Sequence, residues 1–222
     1  MNDTDQITPE RPFIVPLGDR AVVVRFNARM DDAANRAARD LVRALAEDPV
    51  PGVVEVAPSL VSVLLRYDPL VTEPARLAGE IGLRLPRRGA GHSATYNIAV
   101  RFGGADGPDL DWVAEALGLD VPDFIARHCA SPLRVLATGF APGFVYCGFH
   151  PPDLTLPRRE SVRALVPAGS VLFAAGQTAI TASDVPTGWH VIGRTDFRNF
   201  DAGRMPPTRL VAGDDVIFEA MT

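Results

Sequence analysis

The first ninety residues alternate between apolar runs of strand length and amphipathic stretches of helix length. Two β-branched runs are joined by the turn "LGDR", which predicts a hairpin. Ala and Leu then recur at helical spacing, and Asp31 and Asp32 lie where a helix favours acidic side chains. The strands are predicted at residues 13–15, 21–26, 53–56 and 60–67, and the helices at residues 30–48 and 74–83. This order, ββαββα, is typical of a small two-layer domain.

The stretch "PRRGAGHSA" at residues 86–94 interrupts every periodicity and is rich in glycine and small polar residues, which predicts a linker. We therefore divide the chain into an N-terminal domain at residues 1–90 and a C-terminal domain at residues 91–222. The second domain opens with a period-two strand at residues 96–102, followed by predicted helices at residues 109–117 and 121–129. From residue 133 onward, short apolar runs punctuated by Gly and Pro predict a barrel or a sandwich.

Charge and composition exclude several classes of function. The net charge of −5 and the lack of a basic stripe argue against a nucleic-acid surface, and no apolar run is long enough to cross a bilayer. With a polar, acidic start, a cytoplasmic location is expected. All 22 basic residues are arginine, so the chain has neither a Schiff-base lysine nor a Walker-type phosphate loop. Cys129 and Cys147 predict no zinc site, and no metal site is expected.

The segment "GFAPGFVYCGFH" at residues 139–150 places aromatic side chains on a backbone that turns freely. Two interpretations are open, a loop that packs onto the core and a loop that walls a pocket. We expect a pocket lip formed by Gly139, Pro142, Gly143, Phe144 and Tyr146, in which glycine allows close approach and aromatic rings exclude water.

Five blocks in order, "LGDRAVVVRF", "FGGADGPDL", "GFAPGFVYCGF", "LPRRESVRALVPAGSVLFAAGQTAIT" and "PTGWHVIGRT", carry a family resemblance. The chain resembles the family of the B subunit of bacterial 5-oxoprolinase. That family also includes allophanate hydrolase subunit 1, the Kip-type inhibitor of a sporulation kinase and half of the carboxyltransferase domain of urea carboxylase. Ordered blocks are more specific than any single motif.

The resemblance implies an α+β protein, with a C-terminal cyclophilin-like β-barrel after the N-terminal domain. It implies a homologue of the 5-oxoprolinase C subunit as partner, with the A subunit as a further component of a hetero-oligomer. The family activity is the ATP-dependent opening of 5-oxo-L-proline to glutamate, with ATP and Mg bound together with the partner. Alternatives are a carboxyltransferase subunit that acts with carboxybiotin and a regulatory module that inhibits a histidine kinase. A proline isomerase rests on fold analogy alone.

The matched blocks suggest site residues, and His128, outside them, is singled out at the end of a predicted helix. The paired N–H donors of a guanidinium group bind carboxylates and phosphates. The side-chain amide of glutamine can both donate a hydrogen bond to a substrate amide and accept one from it. The expected catalytic residues are His128, Gln177 and Arg194, and the expected binding residues beside the loop are Arg158, Arg159, Gly176 and Thr178. His128 is alternatively a helix cap, and the paired arginines alternatively cover the barrel edge. We expect the pocket between residues 139–149 and 157–181.

The chain departs from the family pattern in the expected pocket loops. "AAGQTAITA" at residues 174–182 stands where relatives carry "GGxQTGIYP", and "VPTGW" stands where they carry "SPGGW". These changes leave open a different small amide or lactam as substrate.

Overall fold

The computed structural model describes residues 12–85 and 94–221. The chain divides into two compact units, Met1–Gly91 and His92–Thr222. Each unit has a hydrophobic core of its own. Most of the expected linker, residues 86–93, lies outside the described residues.

The first unit is a four-stranded antiparallel sheet with two helices. Its elements are β1 (Phe13–Pro16), β2 (Ala21–Arg25), α1 (Asp32–Glu47), β3 (Val53–Pro58), β4 (Ser62–Tyr67) and α2 (Pro74–Arg84). The strands pair in the order β1–β2–β4–β3. Val24 and Leu65 of the sheet share one buried cluster with Leu41 of α1 and Leu77 of α2. The predicted ββαββα order is confirmed.

Local sequence explains where both helices of this unit begin. The Asp31 carboxylate accepts a hydrogen bond from the backbone N–H of Ala34 at 2.7 Å, which satisfies one of the free donors in the first turn of α1. Pro74 is the first residue of α2, a position where a missing N–H costs no helical hydrogen bond.

The second unit is a closed seven-stranded barrel with two helices and a small additional sheet. Its elements are β5 (Thr95–Phe102), α3 (Leu110–Ala116), α4 (Val121–His128), β6 (Leu133–Thr138), β7 (Val145–Gly148), β8 (Arg163–Val166), β9 (Ser170–Ala174), β10 (Gln177–Ile180), β11 (Val185–Thr187), β12 (His190–Arg194) and β13 (Asp215–Ala220). The barrel order is β10–β7–β6–β13–β5–β12–β9, and β10 closes it by pairing with β9. β8 and β11 form the additional sheet. The expected barrel is confirmed.

Strands β9 and β10 are buried on both faces. Phe173 lies in the barrel core, whereas its neighbours Leu172 and Ala174 belong to a second cluster that includes Phe144 and Trp189. Successive strand residues point to opposite faces, so this second cluster covers the outside of the barrel wall. The wall is therefore the middle of three layers at this point.

Within the part of the chain that the structure describes, no helix combines the length and the apolar character that a bilayer crossing requires.

Candidate functional site

The loop between β6 and β7 is built on a tight turn at residues 141–144. The backbone N–H of Phe144 donates to the carbonyl of Ala141 at 3.0 Å, and Gly143, in the third position, has a φ of 72°. Pro142 takes the second position. Proline second and a positive-φ glycine third are the signature of a type II turn. Both residues therefore fix the path of this loop.

Gly143 also packs closely against residues outside the loop. A Cβ atom at this position would lie 2.5 Å from the Cβ of Phe200 and 2.7 Å from the Cβ of Ala182. The Gly143 carbonyl accepts a hydrogen bond from the Asn199 side-chain amide at 2.9 Å. At Gly139, whose φ is 131°, a Cβ would meet nothing within 4 Å.

The aromatic residues of the loop form a row that ends at a guanidinium group. The ring centroids of Phe144 and Tyr146 are 4.8 Å apart, and those of Tyr146 and Trp189 are 5.9 Å apart. The Arg158 guanidinium lies 5.6 Å from the Trp189 ring centroid, a cation–π contact. Phe144 is 3% exposed, so its ring fills the outer layer, while Phe140 is 70% exposed. Burial raises the pKa of the Tyr146 phenol, and Arg158 partly opposes that shift.

His128 and Thr178 meet inside the barrel core, together with His150. The Thr178 hydroxyl lies 2.8 Å from Nε2 of each histidine, and all three side chains are buried. A hydroxyl donates one hydrogen bond and accepts others, so it donates to one imidazole and accepts from the other. Because the His128 side chain bonds Thr178, the helix-cap interpretation of His128 is wrong.

Both histidines of this cluster are held neutral. Burial lowers the pKa of His128 well below its ordinary value, and the proximity of His150 lowers it further. Burial lowers the pKa of His150 to about 4. Desolvation disfavours the imidazolium ion in both cases. At neutral pH the cluster is a hydrogen-bonded polar group within an aromatic core that includes Phe124, Phe173 and Phe218.

Gln177 and Thr178 are adjacent in β10 and therefore face opposite sides of the barrel wall. Thr178 points into the core with His128, whereas Gln177 points to the side of the outer layer. Gln177 is 2% exposed, and its Nε2 has no hydrogen-bond partner among the described residues. Gly176 and Ala175, both with positive φ, form the two-residue turn that joins β9 to β10.

Asp109 lies at the centre of a buried ionic cluster. Its Oδ1 accepts from Arg159 at 2.9 Å and also from Arg163, and its Oδ2 accepts from the backbone N–H of Val191 at 2.8 Å. Asp109 is only 6% exposed. Through these bonds the residue that precedes α3 connects Arg159 and the first residue of β8 to barrel strand β12. Helix α3 begins at Leu110, one residue after the predicted start, and the Asp109 carboxylate makes no cap hydrogen bond.

A cleft of about 130 Å³ lies beside this cluster, and Arg163 and Arg194 both line it. The remaining lining residues are Ala105, Asp106, Pro108, Leu165, Val166, Pro167, Ser170 and Val191. The lining includes part of the expected segment 157–181, and no residue of the loop at 139–149 contributes to it. Of the expected binding arginines, Arg158 contacts Trp189 and Arg159 pairs with Asp109.

The expected site residues thus fall in three places in the fold. His128 and Thr178 lie in the core, Arg194 lies in the cleft, and the loop residues lie in or beside the outer layer. Asp109 and Arg163 were not among the expected residues. Both lie within segments that carry the family resemblance, "FGGADGPDL" and "LPRRESVRAL", so that resemblance could have identified them as site residues.

Solved structures define the class of protein. The chain aligns with Kluyveromyces lactis urea carboxylase at a TM-score of 0.78 over 95% of this chain and 22% of that one, with 16% identity, a likeness that shows the fold alone. TTHA0988 aligns at a TM-score of 0.79 with 34% identity over 91% of this chain, which spans 40% of the length of TTHA0988. The chain therefore shares its fold with a part of each of these two proteins.

The family follows from the sequence comparisons. The model of the carboxyltransferase domain, subdomain C and D, matches residues 12–210, and the chain belongs to this family. A Bacillus subtilis relative, named as the B subunit of 5-oxoprolinase, is 32% identical over 92% of this chain and 91% of its own length. The protein of the same name from Escherichia coli O157:H7 is 35% identical over 91% of this chain and 93% of its own length.

Proposed function

We propose that this chain is the B subunit of a 5-oxoprolinase, working with homologues of the C and A subunits on 5-oxo-L-proline or a related small lactam. The observation that supports this most is the extent of the match. Two relatives named as 5-oxoprolinase B subunits align over more than nine tenths of this chain at 32% and 35% identity. We further propose that the reaction depends on ATP with Mg, bound together with the partner, and that it takes place in the cytoplasm.

The state of the reactive side chains supports a dependence on a partner. Burial raises the pKa of Cys147 to about 12 and that of Cys129 to about 11, so both thiols are protonated at neutral pH. His128 and His150 are bonded to Thr178 in the core. The two thiols and the two imidazoles therefore pack in or against the barrel core. We therefore place the handling of ATP at a site completed by the companion subunits.

The test compares the chain alone with the reconstituted complex. We expect no 5-oxo-L-proline-dependent ATP hydrolysis from the purified chain, and both ATP hydrolysis and glutamate formation once the companion subunits are added. A complex that forms but leaves 5-oxo-L-proline intact would contradict the proposed substrate. Turnover by the chain alone would contradict the dependence on a partner.

The family model itself favours a second candidate, a carboxyltransferase subunit that acts with carboxybiotin. The same complex can be assayed for transfer of a carboxyl group from carboxybiotin to a small amide. Transfer without 5-oxo-L-proline hydrolysis would establish this second function in place of the first.

A further inference from the structure

The cleft beside β8 has the size and lining of a site for a small anion. Its volume of about 130 Å³ is well below the roughly 300–1,000 Å³ of pockets that hold drug-sized ligands. Leu165, Val166 and Val191 supply apolar wall, and Arg163 and Arg194 supply guanidinium groups. A cleft with these walls suits a compact molecule with one charged end and one apolar end.

Arg163 has a donor that the described residues leave unused. Its terminal nitrogen donates to Asp109, which holds the guanidinium group in place, whereas its Nε is buried and has no hydrogen-bond partner among the described residues. Arginine carries five N–H donors and no acceptor. A buried donor without a partner is costly, so it is a strong indication that something outside these residues accepts from it.

Arg194 is held only loosely. The hydrogen bond that the structure gives its guanidinium group runs to the Ala168 carbonyl at 3.3 Å, which is longer than is typical for an N–H···O bond. The group therefore has donors to offer a ligand in the cleft.

The charges around the cleft leave one positive charge in excess. Of the charged residues that line the cleft, Arg163 and Arg194 are cationic and Asp106 is anionic. Asp106 is already paired with Arg101. An anion in the cleft would complete this network, whereas a cation would add to the excess.

The geometry points to this cleft as the binding site for the carboxylate of a small substrate, with Arg163 and Arg194 as the recognising residues. This inference rests on the proposed function, which supplies a ligand of the right kind, since 5-oxo-L-proline has one carboxylate and a compact ring with three methylene or methine carbons. It assigns recognition to Arg163 in place of Arg158 and Arg159, because Arg163 lines the cleft and the other two do not.

Equilibrium binding to the purified full chain tests the site directly. The probes are 5-oxo-L-proline, 2-pyrrolidinone, which has the same ring without the carboxylate, inorganic phosphate and bicarbonate, each titrated by calorimetry. We expect 5-oxo-L-proline to bind at least about thirtyfold more tightly than 2-pyrrolidinone, because loss of a desolvated charge partner has an effect of this size or larger. Arg194→Gln should remove most of this difference. Arg204→Gln, at an exposed arginine that does not line the cleft, should leave it unchanged.

A second variant leaves both arginines in place. Leu165 lines the cleft and is 64% exposed, so Leu165→Glu is expected to fold and to place a carboxylate beside the two arginines. It should weaken 5-oxo-L-proline binding as strongly as Arg194→Gln does. Leu70→Glu is the matched control, since Leu70 is 94% exposed and does not line the cleft.

The outcomes separate this inference from the proposed function. If the wild-type chain does not bind 5-oxo-L-proline, or if the cleft variants bind it as wild type does, the inference is wrong even when the reconstituted complex hydrolyses it. Phosphate or bicarbonate binding that equals 5-oxo-L-proline in affinity and competes with it would overturn the assignment to a substrate carboxylate. A complex without 5-oxoprolinase activity, in which this chain still binds 5-oxo-L-proline through these arginines, would support the cleft and refute the proposed reaction.

Discussion

Replacing Gly143 by alanine tests whether the loop after β6 is fixed by its turn and its packing together. Gly143 has a φ of 72°, a conformation that costs an L-residue about 1–2 kcal/mol. The added Cβ would also lie 2.5 Å from the Cβ of Phe200 and 2.7 Å from that of Ala182. Forcing an extra carbon into such a contact costs typically about 1–3 kcal/mol. We therefore expect Gly143→Ala to lower the free energy of unfolding by about 2–5 kcal/mol.

A matched control separates backbone strain from steric overlap. Gly104, in the same unit, has a φ of 55°, but a Cβ there would meet nothing within 4 Å. Gly104→Ala should therefore cost only the backbone contribution, about 1–2 kcal/mol. The difference between the two variants measures the contact with Phe200 and Ala182.

Urea denaturation followed by the fluorescence of Trp189, which is buried in the outer cluster with Phe144, measures both variants, and thermal unfolding is measured beside it. A loss of 1 kcal/mol shifts the melting temperature by roughly 3–5 °C for a unit of this size, so a loss of about 2–5 kcal/mol predicts a drop of about 6–25 °C for Gly143→Ala. Equal losses for Gly143→Ala and Gly104→Ala would refute the packing argument, and no loss for either would refute the strain argument as well.

Periodicity is enough to predict most elements of the first unit. Helix α1 is expected at residues 30–48 and runs from Asp32 to Glu47, because a single face packs on the sheet and repeats at helical spacing. Strands β9 and β10 are different. Since both of their faces are buried, they show no period of two, and the sequence pattern alone leaves barrel and sandwich equally open.

The loop at residues 139–150 is recognisable from sequence as a shaped turn, but the direction of its rings is not. Phe140 and Phe144 have the same side chain four positions apart, yet one is 70% exposed and the other 3%. The turn formed by Pro142 and Gly143 decides which ring points inward. That turn carries a sequence signal of its own, since proline followed by glycine is typical of a type II turn.

Long-range pairing limits the prediction of the site. Thr178 bonds histidines 28 and 50 positions away, and Arg163 bonds an aspartate 54 positions away. No spacing rule connects such residues, because the fold brings them together. The alternation of β10 adds a further constraint, since Gln177 and Thr178, predicted to act at one site, face opposite sides of the barrel wall.

The histidine–threonine cluster gives two further predictions. Thr178→Val leaves two buried imidazoles without their shared hydroxyl and should cost about 2–4 kcal/mol, whereas Thr178→Ser keeps the hydroxyl and should retain more of the stability in the same urea titration. The second concerns pH. The pKa of His150 is about 4 in the folded chain and near 6.5 when unfolded, so the unfolded state binds more protons between these values, and stability falls as the pH drops from 6.5 towards 4. The full loss attributable to His150 is about 3 kcal/mol, and His128 acts in the same direction. Above about pH 8 neither group contributes a slope, because the imidazoles are then neutral in both states. His150→Gln should therefore reduce the dependence of the unfolding free energy on pH between 6.5 and 4.5 by up to about 1.4 kcal/mol per pH unit, which corresponds to one proton. A pH dependence equal to that of wild type would show that the imidazole is not held neutral in the core.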